Sequence, residues 1–182
     1  MGYLQLIFGP MCSGKSTECI KIYNKYKIID KINIMVISHI LDNRYGDGVV
    51  SSHNKDKIKC HSVEKLNSLK ENKEYVNANV ILIEEAQFFN DLKEFVINAI
   101  DNDNKIVYVF GLDGDFKKNC FGQICELVPH AEDVVKLKGI CIQCKDGTPA
   151  SFTKKRSINE NLVEIGNHEI YDTVCRKCFN SQ

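Results

Sequence analysis

The sequence lacks an excess of charge of either sign, because Lys and Arg together number 24 and Asp and Glu together number 24. Proteins that bind nucleic acid by neutralising many phosphates carry clustered positive charge. The charge balance therefore argues against that class of protein, although the net charge does not exclude a local basic patch such as Lys154-Lys155-Arg156. The sequence also lacks internal repeats. No apolar run approaches the length of a membrane-spanning helix, which is about 20 residues. At 182 residues it supports one domain, or one domain with a small appendage.

A complete G-x-x-x-x-G-K-[ST] phosphate-binding loop lies near the start of the chain. It consists of Gly9, Pro10, Met11, Cys12, Ser13, Gly14, Lys15 and Ser16. An apolar run at residues 4–8 predicts a strand before it, and an amphipathic run at about residues 17–29 predicts a helix after it. In that setting backbone N–H groups and the helix N-terminus surround phosphate oxygens, Lys15 reaches the terminal phosphates, and Ser16 supplies a hydroxyl to Mg²⁺. The motif predicts nucleoside-triphosphate binding; the alternative is an ordinary glycine-rich turn.

Four apolar runs recur along the chain, at residues 4–8, 33–37, 80–83 and 106–110. Their continuous apolar character is typical of strands that are buried on both faces. Residues 91–100 carry apolar side chains at helical spacing. The alternation predicts an α/β fold, in which helices flank a mostly parallel P-loop sheet with right-handed crossovers.

The nine cysteines include two Cys-x-x-Cys pairs, Cys141 with Cys144 and Cys175 with Cys178. Four thiolates at this spacing predict a structural zinc site with no open position for a catalytic water. Disulfides or a redox pair are the alternatives. The long polar segment between the pairs predicts a projecting hairpin or loop. We place a boundary near Lys138, with a nucleotide-binding domain at residues 1–138 and a zinc-binding domain at residues 139–182.

The remaining cysteines are Cys12, Cys19, Cys60, Cys120 and Cys125, and we interpret them as core or incidental thiols. An odd number of cysteines beside a P-loop favours a reduced intracellular setting. Because the first residues form the predicted strand and P-loop, we expect no cleavable signal peptide.

Glu84 and Glu85 follow the third apolar run. In P-loop enzymes an acid at the end of a buried strand typically holds Mg²⁺. Adjacent residues on an extended chain point to opposite sides, so the second acid can face another part of the cleft and act as a general base. The alternative is a solvated strand end. Arg44, in a polar loop after the second run, could clamp a phosphate or form a surface salt bridge with Asp42 or Asp47.

Aromatic and histidine side chains give weaker signals. Phe88, Phe89, Phe116, Phe121 and Tyr171 are candidates for stacking on a base, although most aromatic residues belong to cores. No pair of histidines indicates catalysis. We predict that His39, His53, His130 and His168 lie in solvated or polar positions.

Taken in their order along the chain, the motifs resemble those of the small zinc-containing thymidine kinases of cytosolic and viral type. The similar blocks are residues 9–18, 42–46, 83–89, 111–116, 134–137, 165–166, Tyr171 and 174–178. The resemblance implies transfer of the γ-phosphate of ATP to the 5′-hydroxyl of thymidine, or of deoxyuridine, in nucleotide salvage. It also implies ATP with Mg²⁺, structural Zn²⁺, a lasso-like loop over the nucleoside, a homotetramer, feedback inhibition by thymidine triphosphate and a cytoplasmic location. We expect neither a membrane nor a nucleic-acid partner.

The resemblance further implies roles for individual residues. Glu85 is the expected base, with Arg44 near the reacting 5′ end and Lys15 on the phosphate. The expected nucleotide-side residues are Gly9, Pro10, Met11, Cys12, Ser13, Gly14, Lys15, Ser16, Glu84 and Gln87, with Ser16 and Glu84 at Mg²⁺. The expected nucleoside-binding residues are Met11, Phe116, Phe121, Leu162, Val163, Glu164, Ile165, Gly166 and Tyr171.

Three residues depart from the family pattern: Glu84 replaces the usual Asp, Ala86 replaces a Gly, and Asn167 replaces the second Gly of an Ile-Gly-Gly turn. None of them removes a catalytic group. Two other functions compete with the kinase. One is a P-loop ATPase that binds nucleic acid through a zinc ribbon, and the other is a nonenzymatic nucleotide sensor.

Overall fold

A computed structural model of the chain describes residues 1–42, 48–51, 56–156 and 170–181. Its strands are, in chain order, β1 (Tyr3–Phe8), β2 (Ile34–His39), β3 (Val49–Ser51), β4 (Lys57–Lys59), β5 (His61–Val63), β6 (Val80–Glu84), β7 (Ile106–Gly111), β8 (Asp133–Lys136), β9 (Gly139–Ile140), β10 (Pro149–Ala150), β11 (Phe152–Lys155) and β12 (Tyr171–Val174). Its α-helices are α1 (Lys15–Lys27), α2 (Lys73–Asn77), α3 (Leu92–Asp101) and α4 (Arg176–Asn180). Short 3₁₀-helices span Leu66–Leu69, Ala86–Phe88 and Ile124–His130.

The central sheet has six strands in the order β5-β2-β6-β7-β1-β8, and every neighbouring pair is parallel. The four apolar runs form its four inner strands, so the predicted parallel α/β sheet is confirmed. Successive side chains of a strand point to opposite faces. Leu6 and Ile83 therefore pack on one face with Phe95 of α3, whereas Ile7 and Leu82 pack on the other face with α1.

Helix α1 begins earlier than the apolar pattern predicts, at Lys15. Gly14, at the helix N-terminus, has a φ of 88°, in the left-handed region that glycine adopts without a steric penalty. Its carbonyl accepts the N–H of Glu18 at 3.0 Å, so the helical hydrogen bonds begin directly at the end of the P-loop. This places Lys15 and Ser16 in the first turn of α1, beside the loop.

The chain changes architecture after β8, the last strand of the large sheet. The following strands form two antiparallel pairs, β9 with β10 and β11 with β12. Cys141, Ala150, Val174 and Cys175 form a separate small core there. The boundary predicted near Lys138 lies between these two parts, and their separation into domains stays a prediction. Among the described helices, none combines the length and apolarity that crossing a membrane requires.

Candidate active site

The candidate site lies where three neighbouring strands end. β1, β7 and β6 are adjacent in the sheet, and they end at Phe8, Gly111 and Glu84. The N–H of Gly9 donates to the carbonyl oxygen of Gly111 at 3.3 Å, so the P-loop starts directly beside the end of β7. Open α/β sheets bind ligands at this edge, outside the carboxyl ends of the strands.

The P-loop is folded around the side chain of Lys15. Its Nζ donates to the carbonyl oxygens of Gly9 at 3.2 Å and Pro10 at 2.8 Å, and the residue is 8% exposed. Cys12 and Gly14 both have left-handed backbone, with φ of 57° and 88°. Alternation of right- and left-handed residues turns successive N–H groups toward one concavity, which suits an anion. The loop therefore has the backbone and the cation that a phosphate group requires.

Glu84 lies at the end of β6, close to the start of α1. Burial and the charge of Glu85 raise the pKa of its carboxyl group to about 7, although the hydroxyl of Ser16 and the charge of Lys15 act to lower it. One oxygen, Oε2, accepts the N–H of Glu85 at 3.0 Å. The other, Oε1, is buried and has no hydrogen-bond partner among the described residues, as is also true of Oγ of Ser13.

These unpartnered oxygens test whether the site fits a magnesium nucleotide. Buried polar atoms are almost always satisfied, and a carboxylate oxygen beside a P-loop with no partner among the described residues fits a metal ligand. Mg²⁺ binds hard oxygen ligands. Ser16 and Glu84 would supply such oxygens, and Ser13 lies in the loop that would receive the phosphates. The residues fit the group.

Glu85 is held by a side chain from the turn that follows it. Nε2 of Gln87 donates to Oε2 of Glu85 at 2.5 Å, and Oε1 of Gln87 accepts the N–H of Leu112 at 3.0 Å. Glu85 itself has a φ of 51°, which costs a non-glycine residue on the order of 1–3 kcal/mol. Strain of this kind is typical of functional sites, where the surrounding structure fixes one orientation. Gln87 thus connects the Glu85 carboxylate to the end of β7.

The P-loop is also joined to the C-terminal part of the chain, through the backbone of Met11. Its N–H donates to Oγ1 of Thr153 at 3.1 Å, and its carbonyl oxygen accepts Oγ1 of Thr173 at 2.6 Å. Thr153 lies on β11 and Thr173 on β12, the strand that begins with the buried Tyr171. The pair of strands that carries Tyr171 is therefore attached directly to the phosphate-binding loop.

The four predicted zinc ligands converge. Their sulfur atoms all lie within 4.8 Å of one another, and Sγ of Cys144 lies 3.4 Å from that of Cys178 and 3.7 Å from that of Cys175. A tetrahedral Zn–thiolate site with bonds of about 2.3 Å separates its sulfurs by about 3.8 Å. All nine cysteines are free, so the disulfide alternative is not present. The donor set and its spacing fit a structural zinc ion.

A family model described as thymidine kinase matches residues 2–179. The chain belongs to the thymidine kinase family. The thymidine kinase of Yaba monkey tumor virus is 41% identical over 178 residues, which cover 98% of this chain and 94% of the relative. Those of monkeypox virus (strain Zaire-96-I-16) and vaccinia virus (strain Ankara) are 40% and 39% identical, each over 98% of this chain and 97% of the relative. The resemblance drawn from the sequence motifs is confirmed, and the chain is a kinase of this family.

Within this thymidine kinase family member, the two aromatic candidates on the segment after β7 occupy different surroundings. The ring of Phe121 packs edge-on against Phe88, with centroids 5.7 Å apart. The ring of Phe116 has Nζ of Lys155, at the end of β11, 5.3 Å from its centroid. Phe121 is thus next to the turn after Glu85, and Phe116 is next to the C-terminal strands. Their contacts with a nucleoside stay a prediction.

Several predicted site residues lie outside the described residues. These are Arg44, Leu162, Val163, Glu164, Ile165 and Gly166, together with His53 and His168. The roles of the first six stay predictions. The described strands β11 and β12, which flank residues 157–169 in the chain, pair antiparallel with each other.

The prediction that His39 is solvated or in a polar loop is wrong. The residue ends β2 and is 5% exposed. Its ring packs edge-on against Phe89 with centroids 4.8 Å apart, and its Nδ1 accepts the N–H of Leu41 at 3.1 Å. Burial lowers the pKa of the imidazole. His39 is therefore a packed side chain that supports the turn after Glu85, through Phe88 and Phe89.

The basic run that favoured a nucleic-acid-binding ATPase makes local contacts. Nζ of Lys154 donates to the carbonyl oxygens of Cys178 at 3.0 Å and Ser181 at 2.6 Å. Arg156 forms an ion pair with Asp172 on the neighbouring strand. These cations stabilise the C-terminal strands and helix, so they are not a free patch for phosphates.

Proposed function

We propose that this chain transfers the γ-phosphate of ATP to the 5′-hydroxyl of thymidine, and also of deoxyuridine. The observation that carries the proposal is the meeting of Lys15, Glu84 and Glu85 at one sheet edge, in a chain of the thymidine kinase family. The lysine and the two buried acids supply the phosphate, metal and proton functions that phosphoryl transfer requires. The relatives are named thymidine kinases, which supports thymidine as the acceptor.

Each group has a distinct proposed task. Lys15 binds the terminal phosphates and stabilises the charge that develops on them. Ser16 and Glu84 would hold Mg²⁺, which would neutralise phosphate charge. Glu85, oriented by Gln87, accepts the proton of the 5′-hydroxyl. At the same time the 5′-oxygen bonds to the γ-phosphorus, and the bond from this phosphorus to the β–γ bridging oxygen breaks. Arg44 is proposed to lie near this reacting end.

The nucleoside is proposed to lie under the loop carried by β11 and β12, with residues 162–166, Tyr171, Met11, Phe116 and Phe121 around it. In this arrangement residues 1–138 bind the nucleotide and residues 139–182, stabilised by zinc, cover the nucleoside. Feedback inhibition by thymidine triphosphate and a cytoplasmic location are proposed from the same resemblance.

We expect strong selection for thymine over cytosine. Backbone groups of residues 162–166 would accept the N3–H of thymine, whereas cytosine presents only an acceptor at that atom. A buried carbonyl left unpaired is costly, and sites of this kind reject the wrong partner by about 10⁴-fold. Turnover should therefore be high for thymidine and deoxyuridine and very low for deoxycytidine and purine nucleosides.

Competition among the four deoxynucleosides in one reaction, with γ-labelled ATP, measures this selection. Substitutions at Val163 or Glu164 serve as the comparison, because they alter side chains and leave the backbone groups in place. They should weaken thymidine binding more than they change the thymidine-to-deoxycytidine ratio. Equal turnover of thymidine and deoxycytidine by the unaltered chain would contradict the proposed thymine selectivity.

We also propose a homotetramer, which the resemblance implies. β8 forms one edge of the central sheet, and its residues are exposed. Val134 and Val135 on this edge are 43% and 38% exposed. An exposed apolar edge strand is a template for pairing with another chain. Light scattering on the purified chain should give four times the chain mass, and a monomeric mass would rule the proposal out.

A further inference from the structure

Two threonines connect the phosphate-binding loop to strands β11 and β12. Thr153 and Thr173 are directly opposite each other in the antiparallel pair β11–β12. Both hydroxyl groups bond to the backbone of one residue, Met11. The hydroxyl of Thr153 accepts its N–H at 3.1 Å, and the hydroxyl of Thr173 donates to its carbonyl oxygen at 2.6 Å. Both backbone groups of a single P-loop residue are thus held by a matched pair of side chains from the other part of the molecule.

This junction is buried and tightly packed. Thr153 is 6% exposed and Thr173 is 3% exposed. A methyl group added at Gly139, at the start of β9, would lie 2.7 Å from Cγ2 of Thr173 and 3.3 Å from the carbonyl oxygen of Cys12. The carbonyl oxygen of Thr173 also accepts the N–H of Ile142 at 3.1 Å. Thr173 therefore bonds both to the P-loop and to the backbone of Ile142, which lies between Cys141 and Cys144.

Strand propensity alone does not explain these hydroxyl groups. Valine has the same branched shape as threonine and is equally suited to a strand. Only the hydroxyl can bond to Met11, and its loss would remove the partner of a partly buried backbone group, which is costly. The hydroxyl of Thr173 therefore serves to hold the P-loop through Met11 and is not required for β12 to form.

We infer that Thr153 and Thr173 are positioning residues that couple nucleotide binding in the P-loop to nucleoside binding beside strands β11 and β12. The inference rests on the proposed function, because it needs thymidine to bind beside these strands. A ligand that orders one side of the junction also fixes Met11. The second ligand then loses less conformational entropy when it binds. Such coupling is reciprocal, and it typically changes an affinity by 5- to 150-fold.

The test measures the dissociation constant of a non-hydrolysable ATP analogue with Mg²⁺, in the presence and absence of saturating thymidine. In the unaltered chain thymidine should tighten binding of the analogue by about 5-fold or more. Thr173→Val should reduce this factor to near one, whereas Thr173→Ser, which keeps the hydroxyl, should retain most of it. Thr148→Val is the matched control, because the hydroxyl of Thr148 bonds to Asp146 and not to the P-loop.

Zinc content and thermal unfolding of each variant show whether it is folded. If Thr173→Val does not fold, Thr153→Val, which removes the other hydroxyl that bonds to Met11, tests the coupling in the same way. Equal coupling in Thr173→Val and the unaltered chain, or no coupling in the unaltered chain, would overturn the inference. Thymidine phosphorylation by the unaltered chain is measured in the same preparation. Its absence would refute the proposed function, whereas its presence without coupling would refute only this inference.

Discussion

Replacing Glu85 with Gln is expected to lower kcat by about 10²- to 10⁴-fold while ATP binding is retained. Glutamine has nearly the same size as glutamate and can still bond to the side chain of Gln87, which lies 2.5 Å from Glu85 in the structure. It cannot accept the proton that the 5′-hydroxyl must lose. The loss should therefore appear in the chemical step, as measured by steady-state kinetics with thymidine, and not in the affinity for nucleotide.

Two further variants separate this role from general effects of charge. Glu94→Gln changes an exposed glutamate on α3 whose carboxylate is 3.8 Å from Lys70, and it should leave kcat unchanged. Glu84→Asp keeps a carboxylate beside Ser16 and introduces the acid that the family resemblance gives as usual, so it should be tolerated. A kcat near normal in Glu85→Gln would reject the general-base assignment.

Loss of a zinc ligand is expected to abolish nucleoside binding. Cys144→Ser or Cys175→Ser removes a thiolate from the cluster whose sulfurs lie within 4.8 Å of one another. Zinc binding supplies folding free energy directly, about 10–16 kcal/mol in zinc-finger peptides. Two of the four buried residues of the small core in this part of the chain, Cys141 and Cys175, are themselves predicted zinc ligands, so loss of zinc would disturb this core directly. β12 ends next to Cys175, so loss of the zinc site would also release this strand, with Tyr171 and Thr173, from the active site.

Elemental analysis and a thymidine-binding measurement test this expectation together. The unaltered chain should contain close to one zinc ion per chain, the two serine variants should contain almost none, and the P-loop half should keep weak ATP affinity. Cys120→Ser, a change at an exposed cysteine outside the cluster, should leave the zinc content intact. Unaltered protein without metal after purification free of chelators, or a Cys141–Cys144 disulfide in fresh protein, would contradict the zinc assignment.

The features that the sequence predicts correctly are those that local residue order determines. The P-loop, the inner strands and the Cys-x-x-Cys pairs each depend on a short run of residues with a fixed spacing. The edge strands β5 and β8 are not predicted, because a strand exposed on one side needs no continuous apolar run. His39 reads as polar in sequence, whereas the aromatic residues after β6 cover it in the folded chain.

The threonine contacts with Met11 are beyond sequence reasoning for a related reason. Thr153 and Thr173 are separated from Met11 by 142 and 162 positions along the chain. Threonine is common in strands, and nothing in a strand sequence distinguishes a hydroxyl that bonds to a distant loop from one that is solvated. The bond from Gln87 to Glu85 is local, but its second bond, to Leu112, depends on the pairing of β6 with β7.

The fate of the γ-phosphate tests the proposed activity most directly. Purified chain is incubated with Mg²⁺, γ-labelled ATP and thymidine, and the products are separated. We expect the label in thymidine monophosphate, dependent on thymidine and nearly lost in Glu85→Gln. Label released only as inorganic phosphate, stimulated by DNA and indifferent to thymidine, would contradict a thymidine kinase and support the ATPase alternative.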